Sequence, residues 1–305
     1  MKLIRSGDLI SRYLIGKVLE VFKIFKPKRF WMKLKIGDNP EVNPADKIPG
    51  LIFLGDDSSP QINNNYQDNV GQDGSVYTYS TFGKSTLNAK FNLKFGDYYD
   101  FKLAKHDIMR LFSNKQLMRI RTDAEPAIVK FVRSGNFDIV PNESRGHDAT
   151  FTIPFENPSG YKYSYLTSDN PYLYETEGWQ IGMNLPNGQD LHYHFTTPNM
   201  RVYNASDIAV DPYYQRHQLK IICKFKGNSL QLKNNTNGSS WKLNKPSNFN
   251  NNIVLDGINT MIDKTPAGMR TDFGNLVLEP GWNDIVATGA TTLDITFSFP
   301  FIYIG

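Results

Sequence analysis

Cysteine is almost missing from this chain of 305 residues. Its single cysteine, Cys223, excludes an internal disulfide framework and every zinc or iron–sulfur site that needs several cysteines. We interpret Cys223 as a buried, unreactive thiol, because the alternation of its predicted strand directs its side chain away from that of Ile222. Non-covalent packing therefore has to stabilise the fold.

Long apolar runs are also absent, so the sequence predicts no bilayer-spanning segment. The composition is 40% hydrophobic and 21% charged, close to that of an ordinary globular protein and unlike that of a disordered chain. The length favours two domains over one. We expect two folded domains with a core each.

The common catalytic and nucleotide-binding motifs are absent too: no Walker loop, G-x-S-x-G, H-E-x-x-H or G-x-G-x-x-G sequence occurs. His192 and His194 share a face of a predicted strand at a metal-chelating spacing, but no third ligand can be assigned, and exposed histidines explain the pattern better. Glu175 and Glu177 form a pair of the kind that occurs by chance. We predict no enzyme, no catalytic or metal-binding residue and no cofactor.

Positive charge is concentrated at the N-terminus. Residues 1–33 contain nine Lys or Arg against Asp8 and Glu20, a net +7, so the remainder carries −3 of the chain's +4. The mildly acidic remainder argues against specific nucleic-acid binding.

Residues 1–30 are predicted to hold an amphipathic basic helix that Ser6 caps and Pro27 ends. Asp8 and Arg12 interrupt the apolar stretch that a secretory signal needs, so we reject that reading. The helix packs on its own or a neighbouring subunit, or lies on a membrane surface; we favour protein over membrane. Its predicted docking face consists of Ile10, Leu14, Val18, Phe22 and Phe25.

Residues 31–160 are predicted to form an α+β domain. Prolines and an asparagine run make residues 38–69 look like a long loop, which we interpret as an arm that reaches a neighbour. A helix over residues 98–112, capped by Asp97, has helical spacing of its apolar residues. Strands are predicted at residues 76–82, 87–95, 116–121, 128–133 and 150–155.

Residues 161–305 contain only short alternating runs separated by turn residues, the pattern of a jelly-roll or lectin-like β-sandwich. The runs are residues 192–196, 219–226, 229–233, 253–255, 274–278 and 293–303. Tryptophans here could stack on sugar rings, although a sandwich core also needs large aromatics. Trp179 and Trp241 are the candidate glycan contacts.

Two stretches carry a family resemblance. Residues 70–74 (VGQDG), followed by an aromatic-rich strand, a second strand, the helix and three strands, resemble the N-terminal domain of siphophage distal tail proteins. Residues 273–285 (FGNLVLEPGWNDI), which lead to an apolar final strand, are similar to the closing hairpin of that family's galectin-like C-terminal domain. The N-terminal helix departs from many relatives.

The resemblance implies a structural virion protein: a homohexameric ring at the distal end of a phage tail, assembled in the host bacterial cytoplasm. Phage DNA would pass its lumen without specific binding. The implied partners are the tail tube protein, a tail-tip or tail-associated protein, and receptor-binding or baseplate proteins, with the tape-measure end as a further contact. A lectin-like protein that binds host cell-wall glycans is the alternative, followed by a cell-wall hydrolase.

Overall fold

The computed structural model describes residues 30–172 and 178–305. These residues form two large antiparallel sheets and one separate two-stranded sheet, with little helix. The prediction of a mainly β protein is confirmed. The predicted N-terminal helix with its docking face, and the pair Glu175 and Glu177, lie outside the described residues.

The first large sheet is built mostly by the first half of the described chain. Its strands lie in the order β1-β6-β7-β8-β5-β2. Phenylalanines fill the core over it: the rings of Phe91 and Phe112 lie 5.6 Å apart, and those of Phe112 and Phe155 5.9 Å apart. The strands are β1 (Met32–Ile36), β2 (Leu51–Ser58), β5 (Ser85–Lys94), β6 (Met118–Thr122), β7 (Ile128–Ser134) and β8 (Asp148–Asn157).

Two helices accompany this sheet. The short α1 (Pro44–Lys47) begins after Asn43, whose side chain accepts a hydrogen bond from the backbone of Ala45. The longer α2 (Tyr98–Phe112) begins after Asp97, whose carboxylate accepts bonds from two backbone N–H groups of the first turn. Its buried residues Phe101, Ile108 and Phe112 recur at helical spacing and pack on the sheet, as the sequence predicts.

The second large sheet is built by the second half of the chain, and two long strands, β12 and β18, pair through most of their length at its centre. The order is β10-β18-β12-β15-β16-β17, with β11 also on β18 and with β13 and β14 also on β12. The strands are β10 (His194–Phe195), β11 (Asn199–Asn204), β12 (Lys220–Asn234), β13 (Ser240–Leu243), β14 (Ser247–Asn248), β15 (Ile253–Asp256), β16 (Asn259–Ile262), β17 (Thr265–Pro266) and β18 (Gly281–Ser298).

Strands β9 (Tyr161–Thr167) and β19 (Pro300–Ile304) link the two halves. β19 pairs with β9, and β9 also pairs with β7 of the first sheet. Ala127 and Ile128 belong to the hydrophobic cluster of the second half, which reaches the first sheet here. The proposed boundary at residue 160 thus lies immediately before a strand that both halves share.

The prediction of a loop over residues 38–69 is wrong. This stretch contains α1, β2 and β3 (Gln61–Asp68), and β3 forms a hairpin with β4 (Ser75–Gly83). Three predicted strands differ as well. Residues 219–226 and 229–233 belong to one strand, β12, and residues 274–278 are not a strand but make isolated bridges. The prolines of residues 38–69 lie outside the strands of that stretch, but the asparagine run at residues 63–65 lies within β3, whose side chains are mostly exposed.

Within residues 30–172 and 178–305, no helix has both the length and the apolar character needed to cross a bilayer.

Candidate functional site

Among residues 30–172 and 178–305, the side chains with predicted chemical roles are scattered. His192 and His194 are exposed, and each pairs with a different carboxylate, Asp190 and Asp294, at 3.0 Å. No group of three metal-ligating side chains occurs among residues 30–172 and 178–305. Cys223 is fully buried, and burial raises the pKa of its thiol to about 12.

The expectation that Trp179 and Trp241 contact glycans is corrected by their burial. Their side chains are 2% and 1% exposed, and neither has a face free for a sugar ring. The indole N–H of Trp179 donates to the carbonyl of Pro171 at 2.9 Å, and that of Trp241 donates to Thr260 Oγ1 at 3.1 Å. Both indoles are core residues with satisfied hydrogen bonds.

The most unusual surface is the hairpin of β3 and β4. β2 and β5 pair up to Ser58 and Leu87, and the same two chain segments pair again from Gln61 and Gly83 outward. Beyond that point β3 and β4 pair only with each other in the described chain. The hairpin is therefore the outer half of one long ribbon, and it projects from the sheet.

Apolar and aromatic side chains occur on both faces of this hairpin. Tyr66 and Tyr77 are cross-strand partners with ring centroids 6.1 Å apart, and Tyr77 donates to Ser80 Oγ at 3.0 Å. Tyr79 lies opposite Asn65, which is next to Tyr66 in β3. Because neighbouring strand residues point to opposite faces, Tyr79 lies on the other face of the hairpin from Tyr66 and Tyr77. More than half of the surface of each of these tyrosines is exposed, as is that of Ile62 and Val76.

The root of the hairpin is held by a buried ammonium group. Lys130 Nζ donates to Ser58 Oγ at 3.0 Å and lies 4.0 Å from a carboxylate oxygen of Asp56. Ser58 is the last residue of β2, and Asp56 lies two residues before it. Burial lowers the pKa of Lys130 and raises that of Asp56, in each case against the charge of its partner. Phe82 also packs on Tyr161 of β9 at 5.6 Å. The hairpin therefore starts from a fixed base.

A second ionic cluster fixes the chain between β1 and α1. Arg121 donates to both carboxylate oxygens of Glu41, at 2.7 to 3.1 Å, and Arg119 donates to one of them at 3.1 Å. The Arg121 guanidinium also lies 4.4 Å from the ring centroid of Tyr165 in β9. This cluster ties Glu41 to β6 and to the strand shared by both halves.

The family model of the phage tail protein RIFT-related domain matches residues 46–157. These residues make up less than half of the chain. They include the projecting hairpin, its root and helix α2.

Solved structures extend the likeness to nearly the whole chain. The crystal structure of the Dit (gp 19.1) protein of SPP1, described as a paradigm of the hub adsorption apparatus in phages that infect Gram-positive bacteria, matches with a TM-score of 0.63. The two share 14% identity, and the match covers 90% of this chain and 100% of that one. The phage p2 baseplate in its activated conformation with Sr matches at a TM-score of 0.44 and 10% identity, covering 88% of this chain and 97% of that one.

The curated proteins contain no sequence match to this chain. The tail domain and the Dit-like fold nevertheless confirm the resemblance to siphophage distal tail proteins that the sequence suggested.

Proposed function

We propose that this chain is the distal tail protein of a siphophage: six copies form a ring that joins the tail tube to the tail tip or baseplate. In this role the ring surrounds the passage for DNA and holds receptor-binding or baseplate proteins. The observation that carries the proposal is the projecting hairpin within the matched residues: beyond its root both faces are exposed, and its two outer edges are unpaired in the described part of one protomer.

The sequence of the hairpin supports burial in an assembly. Exposed strand edges are normally protected by lysine or proline, because an unprotected edge pairs with other chains. Residues 61–83 contain no Lys, Arg or Pro. An isolated two-stranded hairpin is also marginally stable in water, so a partner would stabilise it. Both properties are expected of an element that is covered by a neighbouring subunit.

A ring places a further demand on each protomer. Cyclic symmetry uses a heterologous interface, in which two different surfaces of one subunit meet the complementary surfaces of its two neighbours. The fixed root at Lys130 gives the hairpin a defined direction, as such an interface requires.

The N-terminal docking face of Ile10, Leu14, Val18, Phe22 and Phe25 is proposed to bind an adjacent tail-tip subunit or the tape-measure end.

Shortening the hairpin tests the proposal. The residues between the partners Gln61 and Gly83 are replaced by Asn-Gly, which forms a two-residue hairpin turn and leaves the root in place. In the matched control, Asn-Gly replaces Gly257 and Ile258, the turn between the paired residues Asp256 and Asn259 of the second sheet.

Native mass measurement of the full chain gives the readout, with circular dichroism as the check on folding. We expect hexamers from the wild type and the control, and folded monomers from the shortened variant. Hexamers from the shortened variant would remove the hairpin from the account, and a monomeric wild type at every concentration would contradict the ring.

A further inference from the structure

Lys130 is a cation on the core face of a strand. It lies between Ile128 and Val132 on one face of β7, and its cross-strand partner in β6 is Ile120. These three neighbours are buried, and the side chain of Lys130 itself is only 10% exposed. Lysine is almost never buried unless its charge is paired. Packing alone therefore does not explain a lysine at this position.

The carboxyl group that meets Lys130 comes from a strand that is not adjacent to β7. In the sheet, β8 and β5 lie between β7 and β2. A β-bulge at Gly55, which has a positive φ of 129°, shifts the register of β2 by one residue. Because directly opposite residues share a face, Asp56 lies on the core face with its buried partner Ala89. The core face thus brings together one amine and one carboxyl group.

The two groups are close together and poorly hydrated. Lys130 Nζ is 4.0 Å from a carboxylate oxygen of Asp56, whose side chain is 15% exposed. Nζ also donates to Ser58 Oγ at 3.0 Å, which holds it at the end of β2. Burial lowers the pKa of Lys130 and raises the pKa of Asp56. Desolvation therefore favours the neutral amine and the neutral acid, the two forms from which an amide can condense.

The other charges near the pair act in both directions. Glu125 raises the pKa of both groups, and Asp123 raises that of Asp56, so these carboxylates favour the neutral acid. Lys162, which pairs with Glu125 at 2.9 Å, lowers the pKa of Lys130 and favours the neutral amine. Burial has the largest influence on each of the two groups.

We propose that Lys130 and Asp56 condense in the folded chain to form an intramolecular amide, an isopeptide bond. One proton passes from Lys130 Nζ to the carboxylate of Asp56, which gives the neutral amine and acid. The lone pair of Nζ then attacks Cγ of Asp56, and a new N–C bond forms. The bond from Cγ to the hydroxyl oxygen breaks, and that oxygen leaves as water with one of the two remaining protons of the nitrogen. The reaction needs no oxidant, reductant or other co-reactant.

The structure allows this reaction with a small movement. In an amide, the nitrogen and oxygen atoms lie closer together than 4.0 Å, so the two side chains must approach by about 2 Å. The flexible four-carbon stem of lysine permits such an approach. The bond would join β2 to β7 at the root of the hairpin, as a covalent link that a chain with one cysteine cannot make by an internal disulfide. It forms within one chain, so the inference is independent of the proposed ring.

Mass spectrometry of the full chain tests the bond. The folded protein is incubated at neutral pH and then denatured, and we expect its mass to be lower than that of its sequence by one water molecule. After proteolysis, a branched peptide should join the segment of Asp56 to that of Lys130. The exposed pair of Lys90 and Asp57, at 3.2 Å, is an internal control. No branched peptide should contain the Lys90 segment, because both groups of that pair remain hydrated and charged.

Two substitutions identify the reacting groups. Asp56→Asn replaces the leaving hydroxyl by an amino group, so the same condensation should release ammonia, and the missing mass should change from water to ammonia. Lys130→Arg keeps the positive charge but has no amine to acylate, so its full mass should return. Asp57→Asn is the matched control and should lose water as the wild type does. Circular dichroism checks that each variant is folded.

The result separates an amide from a buried ion pair. Full mass in the folded wild type would overturn the proposal and leave Lys130 and Asp56 as an ion pair. A loss of water that persists in Lys130→Arg would also overturn it, because the loss would then lie elsewhere, as in a succinimide at Asp73-Gly74 or Asp256-Gly257. Neither result would bear on the number of copies that assemble.

Discussion

At the scale of single residues, the carboxylate of Glu41 is paired with two arginines. The side chain of Arg121 is 5% exposed and that of Glu41 16% exposed, yet the carboxylate accepts from two guanidinium groups. Removal of one member of a buried ion pair is costly because it leaves the other charge in a poorly hydrated site. The cluster is therefore a sensitive test of how the first sheet is held together.

Glu41→Gln keeps the size of the side chain and removes its charge. We expect it to lower the free energy of unfolding by about 3 kcal/mol, since two arginines lose their counterion. Chemical denaturation measures the change. Asp107→Asn, which removes the exposed pair of Asp107 with Arg110, is the control and should have an effect close to zero. Equal effects from both variants would show that the Glu41 cluster is no stronger than a surface pair.

The same cluster predicts a pH dependence. Burial alone would raise the pKa of Glu41, but its bonds to Arg121 and Arg119 outweigh burial and hold the pKa below the ordinary value of 4.5. The carboxylate therefore contributes stability above about pH 4.5 that is lost as the pH falls through its folded-state pKa. The stability difference between wild type and Glu41→Gln should shrink on acidification, measured by denaturation at several pH values. A difference independent of pH would contradict this.

Cys223 has the opposite character, as a thiol with no access to solvent. Its side chain is fully buried, and its pKa of about 12 keeps it protonated at neutral pH. We expect its reaction with a colourimetric disulfide reagent at pH 8 to be slower than that of the exposed thiol in Val70→Cys by at least about a hundredfold, because it must await unfolding. In denaturant the two should react alike. Rapid labelling of Cys223 in the native chain would show that the second core opens readily.

At the scale of elements, local sequence signals account for helix α2 and fail for the hairpin. Asp97 and the helical spacing of Phe101, Ile108 and Phe112 place the helix correctly, because capping and burial act within a few residues. β3 has exposed side chains on both faces, so no alternation of apolar residues marks it as a strand. Its asparagine run consequently resembles a loop. The proposed burial of the hairpin against another chain would leave no local pattern in the sequence.

The capping contribution can be measured directly. Asp97→Ala removes both hydrogen bonds to the first turn of α2 and should destabilise the chain by about 1 kcal/mol. Asp97→Ser retains an acceptor oxygen at the same position and should recover most of this loss. Thermal or chemical denaturation of the three proteins gives the comparison, and an unchanged stability in Asp97→Ala would mean that packing alone fixes the helix.

The burial of tryptophan side chains in the second sheet could not be predicted from the sequence either. An indole is equally compatible with a sandwich core and with a sugar-binding surface, and only the topology decides between them. Trp241 lies on β13, whose partner β12 crosses the centre of the sheet, and this position buries its ring. The Glu41 cluster could not be predicted for a different reason, because Glu41 and its arginine partners are about 80 residues apart in sequence.

At the scale of the whole molecule, the structure combines a rigid body with an element that extends beyond it. β9 and β19 tie the two sheets together, while the hairpin leaves the first sheet from a root fixed by Lys130. Surfaces suited to neighbours therefore have defined positions relative to the rest of the chain. Such an arrangement is expected of a subunit whose function is to assemble.

If this chain is encoded by a phage genome as proposed, cryo-electron microscopy of the tail tip of that phage tests the central claim most directly. We predict six copies of the fold around the DNA passage at the distal end of the tail tube, with each hairpin in contact with a neighbouring copy. Density that accounts for the tail tip without this chain, or this chain in a peripheral position with its hairpin exposed, would contradict the account.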